Sequence, residues 1–393
     1  MVERIKAGVA ALRGLSFKAA VPVEVKSREE MIRSFEQDIV EEYGEDGLPK
    51  LSLAYGKLGL LPENVDLKKA LLKFYDAEVV AYYDPRTKKL AMPDRAAGAG
   101  EDVPVVLAHE LTHALQDQHF PVLEKLIHGS DDDSDLALRA VVEGDATLSG
   151  YGYIGMDRAA LVAIGQKFEA EMRQSMPALA DVPEVVVEEM LFPYYRGTAF
   201  VSRILEEHGW RGVDALYAAP PLSTEQVLHP EKYLTAPDPP TEVVLTGLGA
   251  LFSDDWKELE KNVLGELMVR VLFERYLSKD EARTAADGWD GDRFVAYARG
   301  DAVAFVWASI WDSETDAEEF LSAYRRLHEK KYPGTAAAKT YSERRDLKVL
   351  IVEGLETTAP ALAELWRGME TKEVPFTPPF ASQRPAEARP GSP

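Results

Sequence analysis

The chain has 393 residues, 46% hydrophobic and 28% charged, with a formal net charge of −22 and a pI near 4.8. That acidic balance argues against nucleic acid or an anionic membrane surface as partner, because both need a basic footprint. The absence of cysteine excludes disulfides, thiol nucleophiles and cysteine-ligated metal, and no apolar run reaches the roughly 18 residues of a membrane span.

Charges at Glu3, Arg4, Lys6 and Arg13 interrupt the first apolar segment. Val2 to about Arg13 therefore reads as an amphipathic helix, not a signal peptide. The compartment stays open, since export through a leader ahead of this segment is compatible with the composition. "VPVEVKS" follows as a short strand, and the capping-box pattern "SREE" at Ser27–Glu30 starts a helix to about Tyr43. Helical patterns recur over Leu51–Leu60 and Leu67–Phe74. "EVVAYYDPRTKKLAMP" predicts a hairpin turning at Asp84-Pro85. The next helix, with Asp102 as N-cap and Pro104 in its first turn, carries "LAHELTHALQDQHF". After the acidic loop "GSDDDSD", helical patterns cover "LALRAVVEGDATLSGYGY", Ala159–Arg173 and Val185–His208.

The proline-punctuated stretch "AAPPLSTEQVLHPEKYLTAPDPP" predicts a domain boundary near residue 240. Beyond it come a helix over Trp256–Leu277, the hairpin "DRFVAYARGDAVAFVWASIWDS", a helix to about Lys331, the strand "LKVLIVEG" and a helix to about Arg367. The expected fold class is α+β, mainly helical. Its divisions are an N-terminal helix (1–19), a catalytic region (20–240), a smaller α+β region (241–370) and a disordered Pro-rich tail (371–393).

The informative motif is H-E-x-x-H at His109, Glu110 and His113. Four residues apart on a helix, the two imidazoles project from one face, where they suit the nitrogen-rich tetrahedral coordination of zinc. Glu110 lies beside that face and can take a proton from an activated water. With 7 histidines in the chain, a chance occurrence is on the order of 1 in 100.

The third ligand is less local. His119 stands where the metzincin pattern H-E-x-x-H-x-x-G-x-x-H has its last histidine, but Gln116 replaces the glycine that would turn the chain back. If the helix continues, His119 lies about 15 Å along the axis from His109. Glu143, in the apolar run "AVVEGDA" on the following helix, is the rival, with Asp145 a further alternative. Small Gly144 and Ala146 would let that helix pack closely on the first.

Here the sequence resembles the gluzincin metallopeptidases, which add a glutamate from a following helix to H-E-x-x-H. The local match is Glu143-Gly144, with Val142 in place of the family's common asparagine and Thr147 at the position of a frequent aspartate. "YYDPRTKKL", "LAHELTHALQDQHF", "VEGDA" and "STEQVLHPEKYL" together resemble a largely uncharacterised group of bacterial gluzincin-type metallopeptidases over about residues 20–330. The resemblance implies a zincin-like fold over the catalytic region and one Zn2+ per chain held by His109, His113 and Glu143. It also implies Glu110 as general base and a peptide or protein as substrate.

Amide hydrolysis develops an oxyanion, which a further donor helps to hold. His229 is the preferred donor, ahead of Tyr194, Tyr195, Arg196 and Tyr233. The acidic loop invites a calcium reading at Asp131, Asp133 and Asp135, but Leu136 and Val142 stand where an EF-hand has glycine and glutamate. The reading from another class is a zincin scaffold without activity that serves in binding or regulation. An intact Glu110 speaks against it.

Overall fold

The computed structural model of the chain describes residues 1–78, 81–94, 103–120, 131–175, 179, 181–334 and 339–380. It is an α+β protein, mainly helical. Helix α1 (Val2–Arg13) ends at Gly14 in the left-handed region. The expected capping box opens α2 (Arg28–Leu58): Ser27 Oγ accepts the Glu30 N–H at 3.2 Å and the Glu30 carboxylate accepts the Ser27 N–H at 2.8 Å. The two helices read over 27–43 and 51–60 are arms of this one element, broken at Gly44 (φ 69, ψ 179). Helix α3 (Leu67–Glu78) precedes the hairpin of β2 (Tyr82–Asp84) and β3 (Lys89–Pro93), and β1 (Val23–Lys26) joins β3 in parallel. The order β1-β3-β2 leaves β2 at an edge.

The helical body continues with α4 (Val103–His119), α5 (Asp132–Tyr153), α6 (Arg158–Ser175) and α7 (Glu184–Leu216). Asp102, expected to cap α4, lies outside the described residues. Helix α7 breaks at Gly209 (φ 66), next to its expected end at His208. Helix α5 is buried along most of its length, and glycines set how closely its neighbours approach. A methyl group added at Gly144 would overlap the backbone of Gly197 on α7, and one at Gly197 would overlap the Ala140 carbonyl. On another side of α5, Gly150 meets the Val105 carbonyl of α4. Gly144 therefore serves the contact with α7, and Gly150 the approach to the helix carrying H-E-x-x-H.

The proline-rich stretch is more ordered than its composition suggests. It forms α8 (Thr224–Leu228) and α9 (Glu231–Leu234), followed by β4 (Thr241–Leu245). The expected helix over Trp256–Leu277 is instead β5 (Lys257–Asn262) and then α10 (Gly265–Glu274). Strand β5 pairs antiparallel with β6 (Trp289–Arg299), and this non-local ladder overrides the local preference of "KELEKN". Helix α11 (Lys279–Ala286) precedes β6, and the predicted hairpin is formed by β6 and β7 (Ala302–Trp311). Then follow α12 (Glu314–Lys331), β8 (Thr340–Arg345), β9 (Lys348–Glu353), α13 (Ala359–Gly368) and β10 (Met369–Glu373). The five-stranded sheet has the order β5-β6-β7-β9-β8, and β10 pairs with β4.

Both faces of this sheet are covered, so its central strands alternate between two cores. Phe294, Ala296, Phe305, Trp307, Val349 and Ile351 join the core of the helical body, which also contains Ile39, Leu58 and Phe200. Val295, Ala304, Val306, Leu350 and Val352 face the other way, toward Leu365 and Met369. The main apolar core thus runs across residue 240. The expected tail is also partly ordered: residues 371–373 complete β10, and Phe380 stacks on His208 with ring centroids 4.0 Å apart. Residues 381–393 lie outside the described residues.

Candidate metal centre

Helix α4 carries both histidines of the motif. Their Nε2 atoms face each other at 3.0 Å, and Glu143 Oε2 approaches from α5 at 3.1 Å from His109 Nε2 and 3.4 Å from His113 Nε2. Ligands held 2.0–2.1 Å from a tetrahedral zinc ion are themselves about 3.3 Å apart, so this triangle has the edge lengths of one coordination face. Glu143 Oε2 is buried and accepts no hydrogen bond, its near neighbours being the two histidine nitrogens. The side chains of His109, His113 and Glu143 keep exposures of 14, 12 and 20%. Burial works against ionisation of Glu143, but the two histidines outweigh it and hold the carboxyl well below the usual range. Burial likewise opposes the His113 imidazolium, while Glu143 and Glu110 lift it to about 9.

The tautomer of His113 follows from Gln116, which is 1% exposed. The Gln116 Nε2 group donates to the Val142 carbonyl at 3.0 Å and to Asp145 Oδ2 at 3.1 Å. Its Oε1 atom is therefore the one facing His113 Nδ1 at 2.9 Å. Being an acceptor, Oε1 requires a proton on Nδ1, so Nε2, which faces Glu143, is the nitrogen that would give up its proton and offer a lone pair to a metal.

Asp145 anchors this arrangement. Its carboxylate receives Arg13 at 2.9 and 3.0 Å and the Tyr217 hydroxyl at 2.7 Å, and Arg13 also reaches Asp214 at 2.7 Å. An acid fully inside the protein is stable there because these donors replace water. Helix α1 is thereby tied to His113 through Asp145 and Gln116.

Glu110 points at the strand edge beside the centre. Its Oε2 atom accepts the Tyr83 N–H of β2 at 2.7 Å. Burial pushes its carboxyl up, opposed by His109 and His113. Across the centre, the Tyr194 ring on α7 stacks on His109 (centroids 6.0 Å, planes at 17°). Burial first, then the charges of Glu143 and Glu110, hold the Tyr194 phenol well above its usual range.

The remaining expected residues sit elsewhere. His119 ends α4, and its Nε2 is 2.7 Å from the Ser16 carbonyl, outside the group formed by His109, His113 and Glu143. His229 faces Glu266 on α10 at 2.9 Å and groups with Glu266 and Asp287, not with the histidines of α4. The reason is the anchoring of its helix: Thr224 on α8 bonds Asp133 at the start of α5, about 15 Å along that helix from Glu143. Of the residues in the acidic loop, Asp131 caps α5 by accepting the Ser134 N–H and Asp133 holds Thr224. Both therefore serve protein contacts.

Tyr194 ranked below His229 on sequence grounds because a tyrosine beside proline usually packs. Its only hint was Gly197 three residues on, which marks a helix face in close contact. Gln116, read above only as the residue in place of a metzincin glycine, orients His113.

Comparison with protein-family models matches residues 253–364 to a Domain of unknown function (DUF8575). The match covers the C-terminal sheet and its helices, and leaves out the residues of the centre. Comparison with curated proteins finds no match. Comparison with solved structures finds none either.

Proposed function

We propose that this protein is a zinc-dependent peptidase of the gluzincin type, with His109, His113 and Glu143 holding one zinc ion. One observation carries the reading: two imidazole nitrogens and a buried carboxylate oxygen converge at tetrahedral-edge spacing beside a glutamate. Zinc bound there supplies Lewis acidity, which acidifies water and polarises a carbonyl.

The chain's own groups do the rest. Glu110 accepts the proton of the attacking water and delivers it to the leaving amide nitrogen. Its carboxylate is held for that role by the Tyr83 N–H. Tyr194 is the nearer donor for the developing oxyanion, in place of His229, because its ring lies against His109. Strand β2 is an edge strand beside Glu110, so an extended peptide can lie along it, with the Tyr83 N–H already committed to Glu110.

The test is hydrolysis of an unstructured peptide library by the zinc-loaded chain and by Glu110→Gln. The expected result is cleavage by wild type and a loss of roughly 10²-fold or more in the variant at unchanged zinc content. A zinc-loaded wild-type chain that cleaves nothing would sink the peptidase reading and leave the inactive scaffold.

A further inference from the structure

A second group of potential ligands lies where the helical body meets the C-terminal region. His229 is the residue that ends α8, Glu266 is in the first turn of α10, and Asp287 is the residue that ends α11. Each offers one ligand atom, and these atoms lie within 4.8 Å of one another. His229 Nε2 is 2.9 Å from Glu266 Oε1, and its Nδ1 faces Glu231 at 3.8 Å. The Glu266 side chain is only 4% exposed, and its second oxygen, Oε2, is buried with no hydrogen-bond partner. A buried carboxylate oxygen without a donor is costly, and it is rare in a folded protein unless a cation supplies the missing charge.

A neighbouring cluster shows what a satisfied version looks like. Glu225, Asp238 and Asp312 also converge, but Lys232 Nζ sits among them at 2.6, 2.9 and 2.6 Å. There the chain provides its own cation. Among the described residues, the only positive side chain paired with Glu266 is His229 itself, against the carboxylates of Glu266, Asp287 and Glu231. Lys232 acts on Glu266 only at longer range. The position of Glu266 is set independently of any ion: the buried Asp292 carboxylate accepts the Leu264 and Gly265 N–H groups at 3.0–3.1 Å and so fixes the start of α10.

We propose that His229, Glu266 and Asp287 form a second divalent-cation site, separate from the centre on α4. One imidazole nitrogen and two carboxylate oxygens suit zinc and its first-row neighbours better than magnesium, which prefers oxygen alone. The three ligands come from three elements, so the ion staples α8 to α10 and α11. The role is structural, joining the two sides of residue 240.

The experiment measures zinc in the full-length chain at micromolar metal against a competing chelator, with thermal unfolding recorded in parallel. Because H109Q/H113Q removes the first site, this background reads the second site alone, whatever becomes of the peptidase reading. The expected result is about one zinc per H109Q/H113Q chain, with a melting temperature that rises on adding zinc. Adding Glu266→Gln, which keeps a hydrogen bond to His229, should abolish both effects. Asp287→Asn changes an exposed residue and leaves the fold intact; it should weaken zinc on the order of tenfold or more. A folded H109Q/H113Q chain that takes up no zinc overturns the proposal and leaves a plain ion pair between His229 and Glu266. So does zinc uptake unaffected by Glu266→Gln and Asp287→Asn, which would place the metal elsewhere on this acidic surface.

Discussion

Replacing Gln116 by methionine keeps the volume of a buried side chain and removes its three polar contacts. The His113 Nδ1–H then has no acceptor, so nothing selects the tautomer that exposes the Nε2 lone pair. Losing an outer partner of this kind typically weakens metal binding 10–100-fold, or about 1.4–2.7 kcal/mol. The cost to the apo fold is smaller than a count of lost bonds suggests. Asp145 keeps Arg13 and Tyr217, leaving mainly the Val142 carbonyl without its side-chain donor, a loss of about 1–3 kcal/mol. The assay is zinc competition against a chromogenic chelator, with urea unfolding of the metal-free proteins as control. A folded Gln116→Met variant that binds zinc as tightly as wild type would refute the tautomer argument. Its metal affinity and its stability must therefore be measured on the same preparation.

Tyr194→Phe should lower kcat on the order of 10²-fold with KM and zinc content nearly unchanged, since the ring still stacks on His109. Steady-state kinetics on a cleaved peptide decides it, and an unchanged kcat would return the donor role to another residue. Gly197→Ala forces the α5 and α7 backbones apart at Ala140. It should cost about 1–3 kcal/mol in urea unfolding and weaken zinc by moving Glu143; an unaltered midpoint would contradict the close crossing. Glu189 is pushed up to about 7 by burial and by the charges of Asp132 and Glu42, against Arg139. The folded state thus holds a proton that the unfolded chain releases above about pH 4.3, so this group makes native stability fall as pH rises to about 7. Glu189→Gln removes that loss, a gain on the order of 1 kcal/mol at pH 8 and none at pH 4. Equal stability differences at both pH values would show that Glu189 titrates normally.

What could be read from the sequence was local. Two histidines at helical spacing with a glutamate between them specify a face and a chemistry, and the helix that carries them needs no distant contact to be recognised. The capping box at Ser27 and the hairpin of β6 and β7 were legible for the same reason, as was the continuation of α4 past Gln116 that carries His119 away. Glu143 was intermediate, since its acid in an apolar run marked a buried position but not which neighbour it faces. Tertiary structure decided that: Gly144 and Gly197 close α5 on α7, Gly150 closes it on α4, and Glu143 is left facing the histidines. Strand β5 was read as helix because "KELEKN" becomes a strand only when β6 lies beside it. The same holds for Gln116, Tyr194 and His229, whose roles depend on partners from other elements: Asp145, His109 and Glu266. Helical spacing is a property of a few successive residues, whereas a buried hydrogen bond or a ligand triangle exists only once distant segments have been packed together.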